Sequence, residues 1–252
     1  MIALADPAGP QSGVTGYKRR WLPAAIASVI ALVPSPAMAA QVGAVVSIFS
    51  DDRFRGVSVS DGRPVATFDL SYDASSGLYG SVAGTLVAAR DEGPRLLSGV
   101  VNGGYAVRLR PNLTADFGAS HTRYSHYSGL SYGRDFTEVY AGLASKILGG
   151  RISVSPNYFG IARWTLHGEL DAHIDLSRNT TLEGEAGLLV PLGKGAYEAR
   201  LDSQVDARVG LAQRAGPVTF HAAVSGRTGS GEIYGGHGHH RVAVVLGVST
   251  VL

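Results

Sequence analysis

The sequence predicts an all-β fold, a transmembrane antiparallel β-barrel of about twelve strands that follows a cleaved signal peptide. Three observations predict it: long segments of alternating apolar and polar residues, an export signal near the N-terminus, and short turns that alternate with longer connections. Side chains alternate across a strand with period two, so each segment has an apolar and a polar face. The clearest segments exceed the roughly 5–6 residues typical of soluble strands and match the roughly 9–11 that cross a bilayer.

Residues 1–39 have the order of a secretory signal peptide. Residues 18–20 are basic, residues 21–33 are apolar, and residues 37–39 (Ala-Met-Ala) form a small-x-small cleavage site. A membrane anchor helix would need about 20 apolar residues, more than this run offers. We therefore expect cleavage after position 39 and a single barrel domain over residues 40–252.

Composition excludes several classes of function. The formal net charge is +2, and the leader holds three basic residues and one acidic residue, so the mature chain is neutral. Nucleic-acid binding, which needs an excess of clustered basic residues, is not expected. The chain has 0 cysteines, which removes disulfides, thiolate metal sites and cysteine catalysis. The 34 glycines in 252 residues are nearly twice the usual share of about 7%, as expected for many turns.

Twelve segments carry the alternation, an even number as in bacterial outer-membrane barrels. The clearest is residues 164–176, where even positions are apolar or glycine and odd positions are polar or charged. Almost as clean are residues 66–72, 113–120, 181–190, 200–211 and 218–225. The alternation is weaker in residues 42–54, 78–88, 96–109, 136–145, 151–158 and 241–252.

The connections between these segments alternate in length. Short, turn-like connections are residues 73–77, 110–112, 146–150, 177–180 and 212–216. The intervening connections are mostly longer, notably residues 51–63, 124–135 and 227–240. Outer-membrane barrels have short periplasmic turns and longer external loops, so this pattern favours a barrel. A soluble β-sandwich or lipocalin-like barrel stays the alternative, because periodicity alone does not orient a face.

Residues 50–60 resemble the opening signature of the TorF family of porins. They read Ser-Asp-Asp-Arg-Phe-Arg-Gly-Val-Ser-Val-Ser, and Asp52 stands where that family usually has tyrosine. Residues 76–80, 138–142 and 157–160 are also similar to segments of the family. The resemblance implies an outer-membrane β-barrel that acts as a porin, and it implies no substrate or catalytic residues.

Residue parity assigns faces in the first segment. If the even-numbered apolar residues through Phe54 face lipid, then Asp51, Arg53 and Arg55 face the lumen near the external rim. Arg55 beside Gly56 is then either a charged element of the pore mouth or half of a structural ion pair with a loop carboxylate. Both interpretations stay open.

The predicted lumen is strongly charged. Its pore-lining candidates are Arg53, Arg55, Asp116, His167, Glu169, Asp171, His173, Asp175, Glu183, Glu185, Arg200, Asp202, Asp206 and Arg208. Arg108 and Arg151 come from other strands, and carboxylates outnumber cations in the middle of the barrel. This excess favours cations in a conducting pore. Twelve strands are intermediate between filled eight-stranded barrels and open porins of about 16–18 strands, so a filled interior stays an alternative.

Two histidine groups raise other chemistry. Residues 237–240 (His-Gly-His-His) lie in a glycine-rich external loop and offer imidazoles to a transition metal, although such loops are usually solvated. His167 and His173, beside Glu169 and Asp171, suggest a hydrolase. No serine stands out as a nucleophile and no nucleophile elbow motif is present, so we expect neither a metal nor catalysis.

The sequence therefore predicts a passive outer-membrane channel for small hydrophilic solutes or ions, without a cofactor. Its partners would be outer-membrane lipid and those solutes, and not nucleic acid. A barrel hydrolase and a closed structural barrel are the alternatives. Assembly into a homo-oligomer stays open, because the alternating faces single out no interface.

Overall fold

The computed structural model describes residues 40–90, 92–130, 134–193, 201–228 and 242–252. Outside this part of the chain lie the predicted leader, Arg200 and residues 237–240. The described strands are β1 (Gln41–Phe49), β2 (Arg53–Phe54), β3 (Val57–Ser58), β4 (Val65–Asp73), β5 (Leu78–Ala89), β6 (Gly93–Arg110), β7 (Leu113–Tyr124), β8 (Asp135–Ala144), β9 (Leu148–Ser155), β10 (Trp164–Asp175), β11 (Thr180–Leu192), β12 (Gln204–Ala215), β13 (Val218–Arg227) and β14 (Val242–Val251). One 3₁₀ turn spans Tyr158–Gly160.

Twelve of these strands close into an antiparallel barrel, as the sequence predicted. Strands β4 to β14 are neighbours in chain order, and β1 completes the barrel between β14 and β4. Val46 of β1 pairs with Thr250 on one side and with Phe68 on the other. Closure satisfies the backbone hydrogen bonds of every wall strand, which is the condition for β-structure in lipid. Among the described residues, no helix has the length and apolar character needed to span a membrane.

The two faces of the wall have opposite chemistry. In β10, Leu170 is 67% exposed and the adjacent Asp171 is 7% exposed. Large exposed apolar side chains recur along all twelve wall strands, whereas the buried wall positions are mostly polar or charged. An apolar exterior around a polar interior is the arrangement of a barrel in lipid, and it is the reverse of a soluble barrel. The sandwich and lipocalin-like alternatives are therefore excluded.

The connections confirm the alternation in length, with one exception. Short turns join strands at the end where the N-terminus of β1 and the C-terminus of β14 lie, and these turns are residues 74–77, 111–112, 145–147, 176–179 and 216–217. The opposite end carries residues 50–64, 125–134, 156–163, 193–203 and 228–241. The exception there is the short connection between β5 and β6. By analogy with other such barrels, the end with long connections is external.

Most strand boundaries differ from the prediction by a few residues, and two of the differences move side chains from the lipid face to the interior. Phe54 was predicted to face lipid, and this was wrong: β1 ends at Phe49 and the chain then turns into the barrel, where Phe54 is 3% exposed. The strand predicted over residues 200–211 was wrong at its start, because β12 begins at Gln204. Leu201 consequently lies buried in the interior and not on the lipid face.

Candidate functional site

The connection between β1 and β4, residues 50–64, folds into the barrel and is here called the inner segment. Every residue from Asp51 to Ser60 is buried. Ser50 fixes where the segment begins: its N–H donates to the carbonyl of Leu246 at 2.8 Å, and its hydroxyl accepts from the Leu246 N–H at 3.0 Å. The segment thus leaves the wall at a defined point beside β14 and enters the interior.

A two-residue turn shapes the inner segment. Strands β2 and β3 pair across Arg55 and Gly56, whose φ angles are 48° and 73°. Positive φ at both central positions is the mark of a type I′ hairpin. A Cβ atom at Gly56 would lie 2.6 Å from the carbonyl oxygen of Gly226 on β13. The close approach of the turn to the wall therefore requires glycine at position 56.

Asp51 organises the polar interior of the inner segment. Its carboxylate accepts hydrogen bonds from the hydroxyls of Ser58 and Ser60, at 2.5 and 2.9 Å, and from Arg53 at 3.1 Å. The Ser60 hydroxyl also accepts from the backbone N–H of Asp52 at 2.9 Å. Since buried polar groups must be satisfied, these bonds explain why Asp and Ser recur at this spacing in the segment.

Arg55 ties the turn to the barrel wall. Its guanidinium donates to both carboxylate oxygens of Glu138 on β8, at 2.7 and 2.9 Å, and lies over the ring of Tyr158 at 5.3 Å. The Arg55 carbonyl accepts from the side chain of Gln204 on β12 at 2.9 Å. Of the two interpretations left open by the sequence, the ion pair is observed, although the carboxylate belongs to a wall strand and not to a loop.

An apolar cluster surrounds the inner segment at the external end of the barrel. At its centre, Phe159 contacts Phe54, Tyr124, Phe136 and Tyr158, with ring centroids 4.7–6.0 Å apart. Its other members are Phe49, Val57, Val59, Val65, Val87, Leu97, Leu130, Ile161, Leu189, Leu201 and Val245. The external part of the lumen is therefore packed around the segment like a protein core.

Asp52 is a buried carboxylate of the inner segment. Burial and the neighbouring Asp51 raise the pKa of Asp52 to about 8, and the charge of Arg208 opposes this shift. Asp52 is thus mostly protonated at neutral pH, which reduces the cost of burying it.

A cavity lies between the inner segment and the wall formed by β10–β13. It is partly open to solvent. The lining consists of Arg53, Phe54, Arg55, Gly56, Glu169, Glu185, Asp206, Ala207, Arg208 and Ser225. Three arginines and three carboxylates therefore share one cavity.

The wall beside this cavity carries most of the predicted site residues. Cross-strand pairing places Asp171 opposite Glu185, Glu185 opposite Arg208, and His173 opposite Glu183. Direct antiparallel partners have side chains on the same face about 5 Å apart. The three strands thus bring these predicted residues together on the interior face.

Gly187 allows two further side chains to meet across an intervening strand. It lies on β11 between His167 of β10 and Asp206 of β12, and His167 Nε2 is 3.8 Å from Asp206 Oδ2. A Cβ atom at Gly187 would lie 2.6 Å from Asp206 Oδ2 and 2.8 Å from His167 Nε2. The missing side chain is what gives both groups room.

A second polar network fills the opposite wall. The Tyr140 hydroxyl donates to Asn102 at 2.6 Å, and the Tyr79 hydroxyl lies 2.7 Å from the Tyr140 hydroxyl and 3.0 Å from the Asp116 carboxylate, between which its one hydrogen is shared. Arg151 donates to Asp116 at 3.1 Å, and its guanidinium lies 4.3 Å from the centre of the Tyr140 ring. Asp116, which was predicted to line the pore, thus belongs to a network separate from the cavity.

The remaining predicted residues lie away from the cavity. Asp175 is exposed at the end of β10, where it accepts from Thr181 at 3.1 Å. The prediction that Asp202 lies on the strand wall was wrong, because Asp202 precedes β12 and is exposed. Arg108 is exposed on β6. In the part of the chain that the structure describes, no group of three or more histidines and carboxylates has a geometry that could hold a metal.

Sequence reasoning missed four residues that build this interior. They are Tyr79, Glu138, Tyr140 and Gln204. The first three lie in the segments that resemble the porin family, so their position in those segments was the available signal. Gln204 offered no such signal, because its partner is a backbone carbonyl in a distant part of the sequence.

Comparisons with known proteins agree with this architecture. Residues 34–249 match the family described as a bacterial protein of unknown function, Gcw_chp. The KdgM porin has 13% sequence identity and a TM-score of 0.51, and the NanC porin has 13% identity and a TM-score of 0.54. Each of these alignments covers 82% of this chain and 98% of the other. Comparison with curated protein sequences found no match. The molecule has the fold of these porins and is an outer-membrane β-barrel.

Proposed function

Because the chain belongs to the Gcw_chp family of bacterial proteins of unknown function, we propose its function from the chemistry of the barrel interior. The protein is an outer-membrane channel for the passive diffusion of small hydrophilic solutes or ions. The observation that carries the proposal is a closed barrel whose buried wall positions are polar and charged. Burying charge in a dry interior is costly, whereas a water-filled lumen solvates it. The same fold in two proteins named as porins is compatible with this function.

The inner segment would form the constriction of this channel. It occupies the external part of the lumen, and the cavity between it and β10–β13 is lined on one side by the segment and on the other by the wall. Solutes would pass along this charged cavity, because the apolar cluster fills the space around the rest of the segment.

A modest preference for cations follows from the balance of buried charge. Among the described wall residues, Glu169, Asp171, Glu183 and Asp206 each bury a carboxylate oxygen that has no hydrogen-bond partner. The buried arginines Arg53, Arg55 and Arg151 each form an ion pair with a carboxylate other than these four. Walls with an excess of one charge sign favour the opposite ion in a pore.

Swelling of proteoliposomes tests the proposal. Vesicles that contain the folded protein should swell when diluted into isotonic solutions of small sugars or amino acids, at rates that fall as solute size increases. Vesicles with the same amount of heat-denatured protein give the control rate. Equal rates for folded and denatured protein would contradict a passive channel.

Two other functions each have an observation in their favour. The apolar cluster around the inner segment favours a closed structural barrel. The approach of His167 to Asp206, with Ser153 directly opposite His167 on β9, favours a hydrolase. Solute passage excludes the first of these. Hydrolysis of an ester substrate that is lost in the His167→Ala variant would establish the second.

We also propose that the protein belongs with the TorF porins, works without a cofactor and does not bind nucleic acid. The residues of the resemblance support the first of these points: Asp51, Arg53, Arg55 and Gly56 all build the inner segment. Chemical cross-linking in native membranes would test whether copies of the chain assemble into a homo-oligomer.

A further inference from the structure

The cavity beside the inner segment contains charges of both signs that do not pair with each other. In the described part of the chain, the guanidinium of Arg208 makes no hydrogen bond or ion pair, although Glu185 is its direct cross-strand partner. Asp206 is 3% exposed, and its Oδ2 has no hydrogen-bond partner. Glu169 likewise presents a buried carboxylate oxygen without a partner.

The other two arginines of the cavity differ from Arg208 in this respect. Arg53 is held by Asp51, and Arg55 is held by Glu138. Their partners are absent from the cavity lining, so the cations are compensated from outside it. Arg208 is therefore the arginine of the cavity that offers its donors to a solute, facing the carboxylates of Glu169, Glu185 and Asp206.

We infer that this cavity is a binding site for a small zwitterionic solute, one that carries an ammonium and a carboxylate group as an amino acid does. The solute carboxylate would accept hydrogen bonds from Arg208, and its ammonium would donate to Asp206 and Glu169. Charge-assisted hydrogen bonds of this kind are stronger than neutral ones. A zwitterion would satisfy both sets of groups without adding net charge to the interior. Such a solute would be the substrate of the channel, so this inference rests on the proposed function, although binding of the solute can be measured separately.

Isothermal titration calorimetry of the folded protein in detergent tests the site with four probes of nearly equal shape. L-Alanine carries both charges, lactate only the negative charge, alaninamide only the positive charge, and lactamide neither. We expect saturable binding of alanine, with lactate and alaninamide each weaker by about tenfold or more, since each lacks one charged partner. Binding of lactamide equal to that of alanine, or no binding of alanine, would overturn the inference.

Variants separate the site from general effects on the barrel. Arg208→Gln should weaken alanine binding by about tenfold or more, whereas Arg214→Gln, on the same strand and facing the same side outside the cavity, should leave it unchanged. Asp206→Asn keeps the shape of the side chain and gives a second test if Arg208→Gln does not fold. Unchanged binding in either folded variant would contradict the site.

Conductance distinguishes this inference from the proposed function. A conducting protein that does not bind alanine would keep the channel and exclude the zwitterion site. A protein that binds alanine and does not conduct would keep the site and exclude the channel.

Discussion

Replacing Arg55 with glutamine should release the inner segment from the barrel wall. In the native protein the Arg55 guanidinium makes two hydrogen bonds to Glu138, and both side chains are at least nine-tenths buried. Removing one partner of a buried ion pair leaves the other charge uncompensated, which typically costs about 3–5 kcal/mol. Loss of the contacts with the rings of Phe54 and Tyr158 adds to this cost.

Two measurements follow from this expectation. Urea unfolding of the barrel in lipid vesicles should show the free energy of unfolding lower by about 3–5 kcal/mol in Arg55→Gln. Single-channel recordings should show a larger or more frequently fluctuating conductance, because the turn of the constriction has lost its tie to β8. The Arg55→Gln/Glu138→Gln double variant should lose less stability than the sum of the two single variants, since neither unpaired charge remains.

An exposed ion pair provides the control. Arg95 lies 3.3 Å from Glu92, and both side chains are about half exposed, so Arg95→Gln should cost about 1 kcal/mol or less. If Arg55→Gln were no more destabilising than Arg95→Gln and left the conductance unchanged, the ion pair of Arg55 with Glu138 would not be what holds the inner segment against the wall.

Three further outcomes are expected. Gly187→Ala should lower the free energy of unfolding by about 1–3 kcal/mol, because the added methyl group would collide with the side chains of His167 and Asp206. Gly184→Ala is the control, since the nearest atom to its added Cβ would be 3.8 Å away. Urea unfolding of the two variants compares them. The pKa of Asp52 is raised to about 8, so folding favours its protonated form. Its contribution to the free energy of unfolding, on the order of 5 kcal/mol, is fully present below pH 4 and is lost as the pH rises through 8. The Asp52→Asn variant should lack this part of the pH dependence of unfolding. Asp171→Asn should reduce cation preference measured by reversal potential, and Asp202→Asn should reduce it less, because Asp202 lies outside the wall.

The wall of the barrel could be predicted from the sequence because lipid and water impose opposite demands on alternate residues. In β10 every second residue must tolerate lipid, so the pattern fixed both the strand and the direction of each side chain from Trp164 onwards. The charged positions of β10–β12 were predicted on the interior face for the same reason, and Asp171, Glu185 and Arg208 are brought together by cross-strand pairing.

The inner segment could not be predicted in this way. Counting parity from the apolar even positions of β1 as far as Phe54 placed that side chain in lipid, although the polar residues Ser50 and Asp52 interrupt the alternation and the chain has already turned inward. What turns it inward is a set of distant contacts: Glu138 lies 83 residues from Arg55, and Gln204 lies 149 residues from it. Local pattern carries no information about such partners, although the Arg55-Gly56 pair is typical of a tight turn.

Planar-bilayer recordings of refolded residues 40–252 under a potassium chloride gradient would show whether the barrel conducts through an acidic lumen. We expect discrete conductance steps and a reversal potential whose sign reports a preference for potassium. A barrel that inserts into the bilayer and shows the usual heat-dependent shift in gel migration, but never conducts, would contradict the proposed channel and favour a closed structural barrel. Conductance with a chloride preference would keep the channel and contradict the acidic lumen.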